Sequence, residues 1–267
     1  MKPDGTITEP GTKTLQHLLQ THFPNATELK ATQYNPNRYV TPQQVHDWRP
    51  DWITISKLQL AFKGFHSKKS PGPDGIRPVV LKHFPVNMLQ ITLRLYKLSM
   101  LLSFTPSRWK DCKIIFIPKP GKPRYDIAKS WRPISLTNYL LKGLERLCGW
   151  KMDEALTEYP VHTYQHGFRT DRNTETAISG VVDYIERHVY NGKHVLAVFL
   201  DIQAAFDTIS PDTIKTKLLE HGGDEKMVNW YYEYITHRNI HAEVKGEKAV
   251  ITTGQGFPQG GVCSAKF

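Results

Sequence analysis

The sequence predicts a mixed α/β fold, α+β in looser usage, from three observations. Six stretches carry apolar residues at helical spacing, and four short runs are β-branched or continuously apolar. No internal repeat or long low-complexity tract interrupts them, and 39% hydrophobic with 11% aromatic residues supplies a sizeable core.

Residues 1–50 read as peripheral, with scattered Pro, Asn and Thr, one short amphipathic stretch (Leu15, Leu18, Leu19), and a helix start at Thr41-Pro42. Residues 54–65 form a helix with Ile55, Leu58 and Phe62 on one face. Ser70-Pro71-Gly72-Pro73-Asp74-Gly75 cannot continue it and makes an ordered turn. Residues 86–102 (Met88, Leu89, Ile91, Leu95, Leu98, Leu102) read as a largely buried helix. Cys112–Ile117 is a short strand ended by Pro118, followed by a Pro/Gly/Lys loop and then Trp131–Leu136. Helices follow over 138–157 and 173–190, separated by Gln165–Arg169. Val195–Leu200 is almost unbroken apolar sequence, the pattern of a strand buried on both faces, and delivers Asp201 at its end. Helices at 212–221 and 225–237 precede two strands, 239–245 and 248–253. The segment Gly256-Phe257-Pro258-Gln259-Gly260-Gly261 then opens an element that looks interrupted.

The net charge of +10 is unevenly spread: residues 57–132 hold 16 basic residues against three acids. Such segregation suits a polyanion-binding surface, though a basic face that merely meets solvent has the same composition. No apolar run approaches the roughly 18 residues that cross a bilayer, and the amino terminus has no apolar signal core, so membrane and secreted classes are disfavoured. Cys112, Cys148 and Cys263 include no close pair and are expected to be reduced thiols of an intracellular protein. His162 and His166 are four apart, but no third ligand stands out, so they are expected to be solvated or hydrogen-bonded. Trp48, Trp52, Trp109 and Trp131 are expected in packing rather than base stacking.

A strand-end carboxylate beside a low-dielectric flank calls for a cation, and hard divalent ions prefer oxygen ligands shared with phosphates. Asp201 is therefore a candidate metal ligand, with the plainer alternative of a turn or helix-cap residue.

Six motifs, in order over residues 68–267, resemble the reverse transcriptase domain of non-LTR (LINE-type, jockey- or I-like) retrotransposons. They are Lys69–Ile76, Ile117–Lys122, Trp131–Leu136, Gln165–Arg169, Phe199–Asp207 and Gly256–Gly261. The resemblance implies a right-hand polymerase fold: a variable extension over 1–53, helical fingers over 54–193 and a partial palm over 194–267. It implies that Asp201 is the first catalytic aspartate, with the Ile202 carbonyl as a second metal ligand. Phe206 matches the aromatic gate that excludes a ribose 2′-hydroxyl. Arg132 matches an arginine that clamps the incoming triphosphate, Lys119 a further triphosphate contact, and Gln259 and Gly260 the turn against nucleotide and template. Lys68, Lys69, Gly167, Phe168 and Arg169 fall to the nucleic acid. The implied partners are an RNA template, a DNA primer and deoxynucleoside triphosphates, with two Mg²⁺ (or Mn²⁺) ions in a complete domain.

Two-metal nucleotidyl transfer draws carboxylates from more than one segment, and the family takes the second set from an Asp-Asp hairpin. This sequence contains no Asp-Asp pair. The expectation is a polymerase fragment without the hairpin or thumb, inactive alone. The alternative is a non-catalytic basic nucleic-acid-binding protein that keeps the fingers.

Overall fold

The computed structural model describes residues 8–9, 11–28, 49–202, 204–244 and 246–264. The Thr41-Pro42 helix start, Trp48, Gln203 and residues 265–267 lie outside the described residues. In chain order the elements are α1 (Thr12–His22), β1 (Thr27–Glu28), α2 (Ile55–Lys63), α3 (Pro78–Lys82), α4 (Val86–Leu101), β2 (Asp111–Pro118) and β3 (Trp131–Thr137). They continue with α5 (Tyr139–Glu158), α6 (Thr174–Tyr190), α7 (Ala205–Thr208), α8 (Pro211–Glu220), α9 (Glu225–Thr236), β4 (Arg238–Val244) and β5 (Glu247–Thr253).

The strands form one sheet in the order β1-β5-β4-β2-β3. Neighbours are antiparallel except β2 and β4, which run parallel with Asp111 opposite Asn239 and Ile114 opposite Ala242. β3 is an outer strand, where Pro133 removes no ladder hydrogen bond. Helix starts carry ordinary caps: the Thr54 hydroxyl accepts from Lys57 N–H at 3.2 Å, and Asp224 accepts from Met227 N–H at 2.9 Å.

The main core gathers Leu58 and Phe62 of α2, Tyr96 of α4, Leu141, Leu144 and Cys148 of α5, and Trp230 and Tyr234 of α9. Trp230 satisfies its buried indole N–H on Ser99 Oγ at 2.9 Å. A second core lies under α1, where Leu15, Leu19 and Phe23 cover Cys112, Ile114, Ile240 and Ala242 of the sheet. The amino-terminal stretch is thus not peripheral. Its apolar stripe recurs every four residues, but the surface that receives it comes from strands 90 and more residues away. All three cysteines are buried and none forms a disulfide. Among the described residues no helix is long and apolar enough to cross a membrane.

Two further expectations are corrected. Helix α4 buries Leu89, Thr92, Tyr96, Ser99 and Met100, while Met88, Ile91, Leu95 and Leu98 face outward. Its apolar residues ring the helix, and only one stripe can meet the core. Residues 195–200 form no strand, and Leu196 and Leu200 are 89% and 91% exposed. Burial on both faces needs a strand on each edge and a layer above and below. Among the described residues no strand pairs with this run, and α6 before it has no buried residue either.

A stability test follows. Leu196→Ser or Phe199→Ser is expected to shift unfolding by less than about 0.5 kcal/mol in urea titration. A loss of about 2–5 kcal/mol, the cost of truncating a core residue, would return this run to the interior.

Candidate functional site

The segment Gly256–Gly261 joins two parts of the chain that are remote in sequence. On one side it lies along the outer edge of β3, where Ser135 N–H donates to Gln259 O at 2.7 Å. The approach is close because residue 260 has no side chain: a Cβ there would sit 2.7 Å from Ser135 O, at φ +119°. On the other side it meets the short α7 turn. Phe257 N–H donates to Phe206 O at 2.6 Å, and Gly256 N–H to Ile209 O at 2.9 Å. A Cβ on Gly256, at φ +70°, would strike Phe206 O and lie 2.7 Å from Asp207 Cα. The Gln259 amide donates to Asp207 Oδ2 at 3.3 Å. The structure therefore brings together Phe206, Gln259, Gly260 and the strand that carries Arg132, about 10 Å along β3 from Ser135 at ordinary strand rise.

Lys119 belongs to the same neighbourhood. The β2–β3 loop is closed by Lys119 N–H on Ser130 O (2.9 Å), Tyr125 OH on Lys119 O (2.9 Å) and Trp131 Nε1 on Tyr125 O (2.9 Å). Burial pushes the Asp207 carboxyl up to about 6, and the charges of Arg238 and Lys119 pull it back down. Arg132 is exposed and, among the described residues, makes no ion pair or side-chain hydrogen bond. Its guanidinium is open to an anion.

The other candidates lie apart from this cluster. Asp201 and Ile202 sit on the exposed run before α7, and no hydrogen bond or ion pair links Asp201 to Gln259 or Arg132. The Asp201 carboxylate and Ile202 carbonyl are hard oxygen donors, right in kind for a divalent ion. They are too few: among the described residues no group of three His, Cys, Asp or Glu side chains could hold a metal. The donors present do not make a metal centre, and no chemical step through one follows from them. Phe168 is 72% exposed with its backbone in the left-handed region, beside Gly167. Arg169 Nη1 donates to His162 O at 3.1 Å, and His166 Nδ1 lies 2.8 Å from Thr176 Oγ1. Lys68 and Lys69 are exposed ahead of the Pro-Gly turn, which docks on the β3–α5 junction through Asp74 N–H to Asn138 Oδ1 at 3.4 Å.

Three charged residues beneath the site escaped the motif reading. Arg238, 2% exposed, donates to Gln255 O (2.5 Å), Gly256 O (2.8 Å) and Ile235 O (3.4 Å). Lys142 and Glu145 are buried on α5. The available signal was position: Glu145 lies on the apolar stripe Leu141, Cys148, Met152, where a solvated acid has no place. Burial pushes Glu145 up to about 7, with the Val262 and Cys263 N–H groups, Lys142 and Arg238 pulling the other way. Between about 4.5 and about 7 the folded chain keeps a proton that the unfolded chain has lost, so stability falls as pH rises through that window. The fall is expected to be on the order of 3 kcal/mol. Glu145→Gln should flatten it when urea midpoints at pH 5 and pH 8 are compared; an unchanged slope would assign the effect elsewhere.

Comparison with known proteins gives a consistent result. Residues 117–266 match the reverse transcriptase (RNA-dependent DNA polymerase) family. The RNA-directed DNA polymerase from mobile element jockey of Drosophila melanogaster is 28% identical over 256 residues, covering 90% of this chain and 27% of the relative. The Pol polyprotein from type-1 retrotransposable element R1 of Bradysia coprophila is 25% identical over 260 residues, 97% of this chain and 25% of the relative. That from type-1 retrotransposable element R2 of Popillia japonica is 28% identical over 187 residues, covering 69% and 24%. The chain spans about a quarter of the length of these relatives.

Proposed function

The chain belongs to the reverse transcriptase (RNA-dependent DNA polymerase) family, and from that premise we propose that it is the triphosphate-gripping part of a non-LTR retrotransposon RNA-directed DNA polymerase. Residues 54–193 act as fingers and 194–267 as part of the palm, with 1–53 a variable approach. Arg132 clamps the triphosphate and Lys119 assists it. Phe206 rejects the ribose 2′-hydroxyl sterically, and the Gln259-Gly260 turn forms the floor under the nucleotide. Lys68, Lys69 and Gly167–Arg169 face an RNA template and DNA primer through phosphate and stacking contacts. Asp201 and the Ile202 carbonyl are the chain's share of a divalent-metal centre.

One observation carries this proposal. Of three segments assigned to one nucleotide site, the Gln259 turn is bonded directly to both of the others, to β3 through Ser135 and to the Phe206 turn through Phe206 O and Asp207.

The test is binding of a deoxynucleoside triphosphate by the folded chain, followed by tritration of an Arg132→Ala variant. Arg132 is exposed, so the variant should fold normally and lose about tenfold or more in affinity, the worth of a charge-assisted hydrogen bond. Equal affinity in the two proteins would remove Arg132 from the site. Salt-dependent RNA binding, with a slope of roughly 0.7 per phosphate neutralised, but no triphosphate binding would favour the non-catalytic module. Because the sequence holds no Asp-Asp pair, primer extension on RNA is expected to give no incorporation above an Asp201→Ala control. Template-dependent incorporation above it would refute catalytic incompleteness.

A further inference from the structure

We propose that Glu145, a buried side chain outside every motif, is the positioning residue for the Gln259-Gly260 turn, clamping that turn's exit from inside α5. The proposal rests on the nucleotide-site assignment above and adds to it the group that fixes the site's floor.

Glu145 is fully buried, and its two oxygens are used unequally. Oε2 accepts Val262 N–H at 3.4 Å, and the Cys263 backbone N–H also bonds to the carboxyl. Oε1 has no hydrogen-bond partner among the described residues. The same α5 residue holds the chain a second time, since Cys263 Sγ donates to Glu145 O at 2.8 Å. The turn itself closes through Gly261 N–H to Pro258 O at 2.9 Å and Ser264 Oγ to Pro258 O at 2.8 Å. Pulling residues 262–264 against α5 therefore fixes where Pro258–Gly261 can lie, and Gln259 O then meets Ser135 N–H on β3.

The choice of an acid follows from the donors. Two backbone N–H groups arrive in a dry interior with no helix or strand partner, and leaving them unpaired would be costly. A carboxylate can accept both, and hydrogen bonds to an ionised acceptor are about twice as strong as neutral ones. An apolar residue would fill the same volume and pack as well, but it would leave the exit of the turn unheld. The opposing side is equally tight: a Cβ on Gly261 would meet Ser264 Oγ and lie 3.2 Å from Glu145 Oε1.

Cys263 offers a built-in reporter, because it is fully buried only while residues 262–264 stay against α5. Glu145→Met keeps the volume and removes the acceptors, whereas Glu145→Gln keeps one acceptor oxygen. With a thiol-reactive reagent read residue by residue, Glu145→Met should raise Cys263 labelling about tenfold or more, the worth of a hydrogen bond to a charged group. Cys148 and Cys112 should stay protected. Deoxynucleoside triphosphate affinity should fall in parallel, and Glu145→Gln, which keeps one neutral acceptor, should place both readouts between the parent and Glu145→Met, as expected when the hydrogen bond rather than the volume matters. Gly261→Ala, which crowds Oε1 without touching the α5 core, is a second route to the same exposure if Glu145→Met fails to fold.

Protected Cys263 in both variants would overturn the clamp. So would equal labelling of all three cysteines, which would report general loosening. Selective exposure of Cys263 with unchanged triphosphate affinity would overturn the link to the nucleotide. A parent chain that binds no triphosphate, yet shows selective Cys263 exposure in Glu145→Met, would sink the nucleotide-site assignment and leave the clamp standing.

Discussion

Replacing Arg238 by alanine is expected to destabilise the chain by about 3–5 kcal/mol, since it removes three hydrogen bonds from one charged donor, each worth about 1.5–3 kcal/mol when counted singly. The side chain is 2% exposed and serves three backbone carbonyls at once, Ile235 at the end of α9 and Gln255 and Gly256 ahead of the site turn. Alanine takes this donor from all three carbonyls, leaving Gln255 O the Thr253 hydroxyl at 3.3 Å. It also removes a positive charge that holds down the carboxyls of Glu145 and Asp207, so both rise further. Ionising them then costs more in the folded state, and the loss should be larger at pH 8 than at pH 5. Urea titration at the two pH values checks both parts. A loss below about 1 kcal/mol, the level of an ordinary surface substitution, would mean that the guanidinium is dispensable.

The second large effect is expected at Gly256. Its φ of +70° is strained for any residue with a Cβ, and that Cβ would run into the backbone of Phe206 and Asp207, which cannot move as a flexible side-chain tip could. Strain and overpacking together put Gly256→Ala at about 2–4 kcal/mol. The functional consequence should exceed the stability loss. The α7 turn and the Gln259 turn must separate, which breaks Phe257 N–H to Phe206 O and withdraws Asp207 from the Gln259 amide. Triphosphate binding is expected to fall below detection in a variant that still unfolds cooperatively. Retained binding would show that the two turns do not need each other.

How much of this was legible in the sequence depends on the kind of residue. Helices such as α5 and α9 follow from periodicity, because the spacing of Leu141, Leu144, Cys148 and Met152 is a local property. The paired strands β4 and β5 were likewise visible on either side of a turn at Gly246. Burial was not local. Val195–Leu200 has the composition of a central strand, yet the described sheet offers it no neighbour. Leu15 and Leu19 looked incidental until β2 and β4 supplied the surface they cover.

The site divides the same way. Arg132, Lys119, Phe206 and Gln259 are candidates through motif resemblance alone, since an exposed Arg or a half-buried Phe has no distinctive local physics. Glu145 and Arg238 belong to no motif, and their meaning lies in carbonyl and amide partners that only the folded chain assembles. An acid on an apolar stripe was the one clue available beforehand.

The parallel pairing of β2 with β4 has a bearing on biosynthesis. Asp111 and Asn239 are 128 residues apart, so at ordinary translation speeds of about 5–20 residues per second β4 follows β2 out of the ribosome by roughly 6–25 seconds. Throughout that interval the nascent β2–β3 hairpin has one unzipped flank, open to a chaperone or to a neighbouring polysome product. The sheet can close only after α9 has emerged, which makes the carboxy-terminal third of this chain the limiting component of its own maturation.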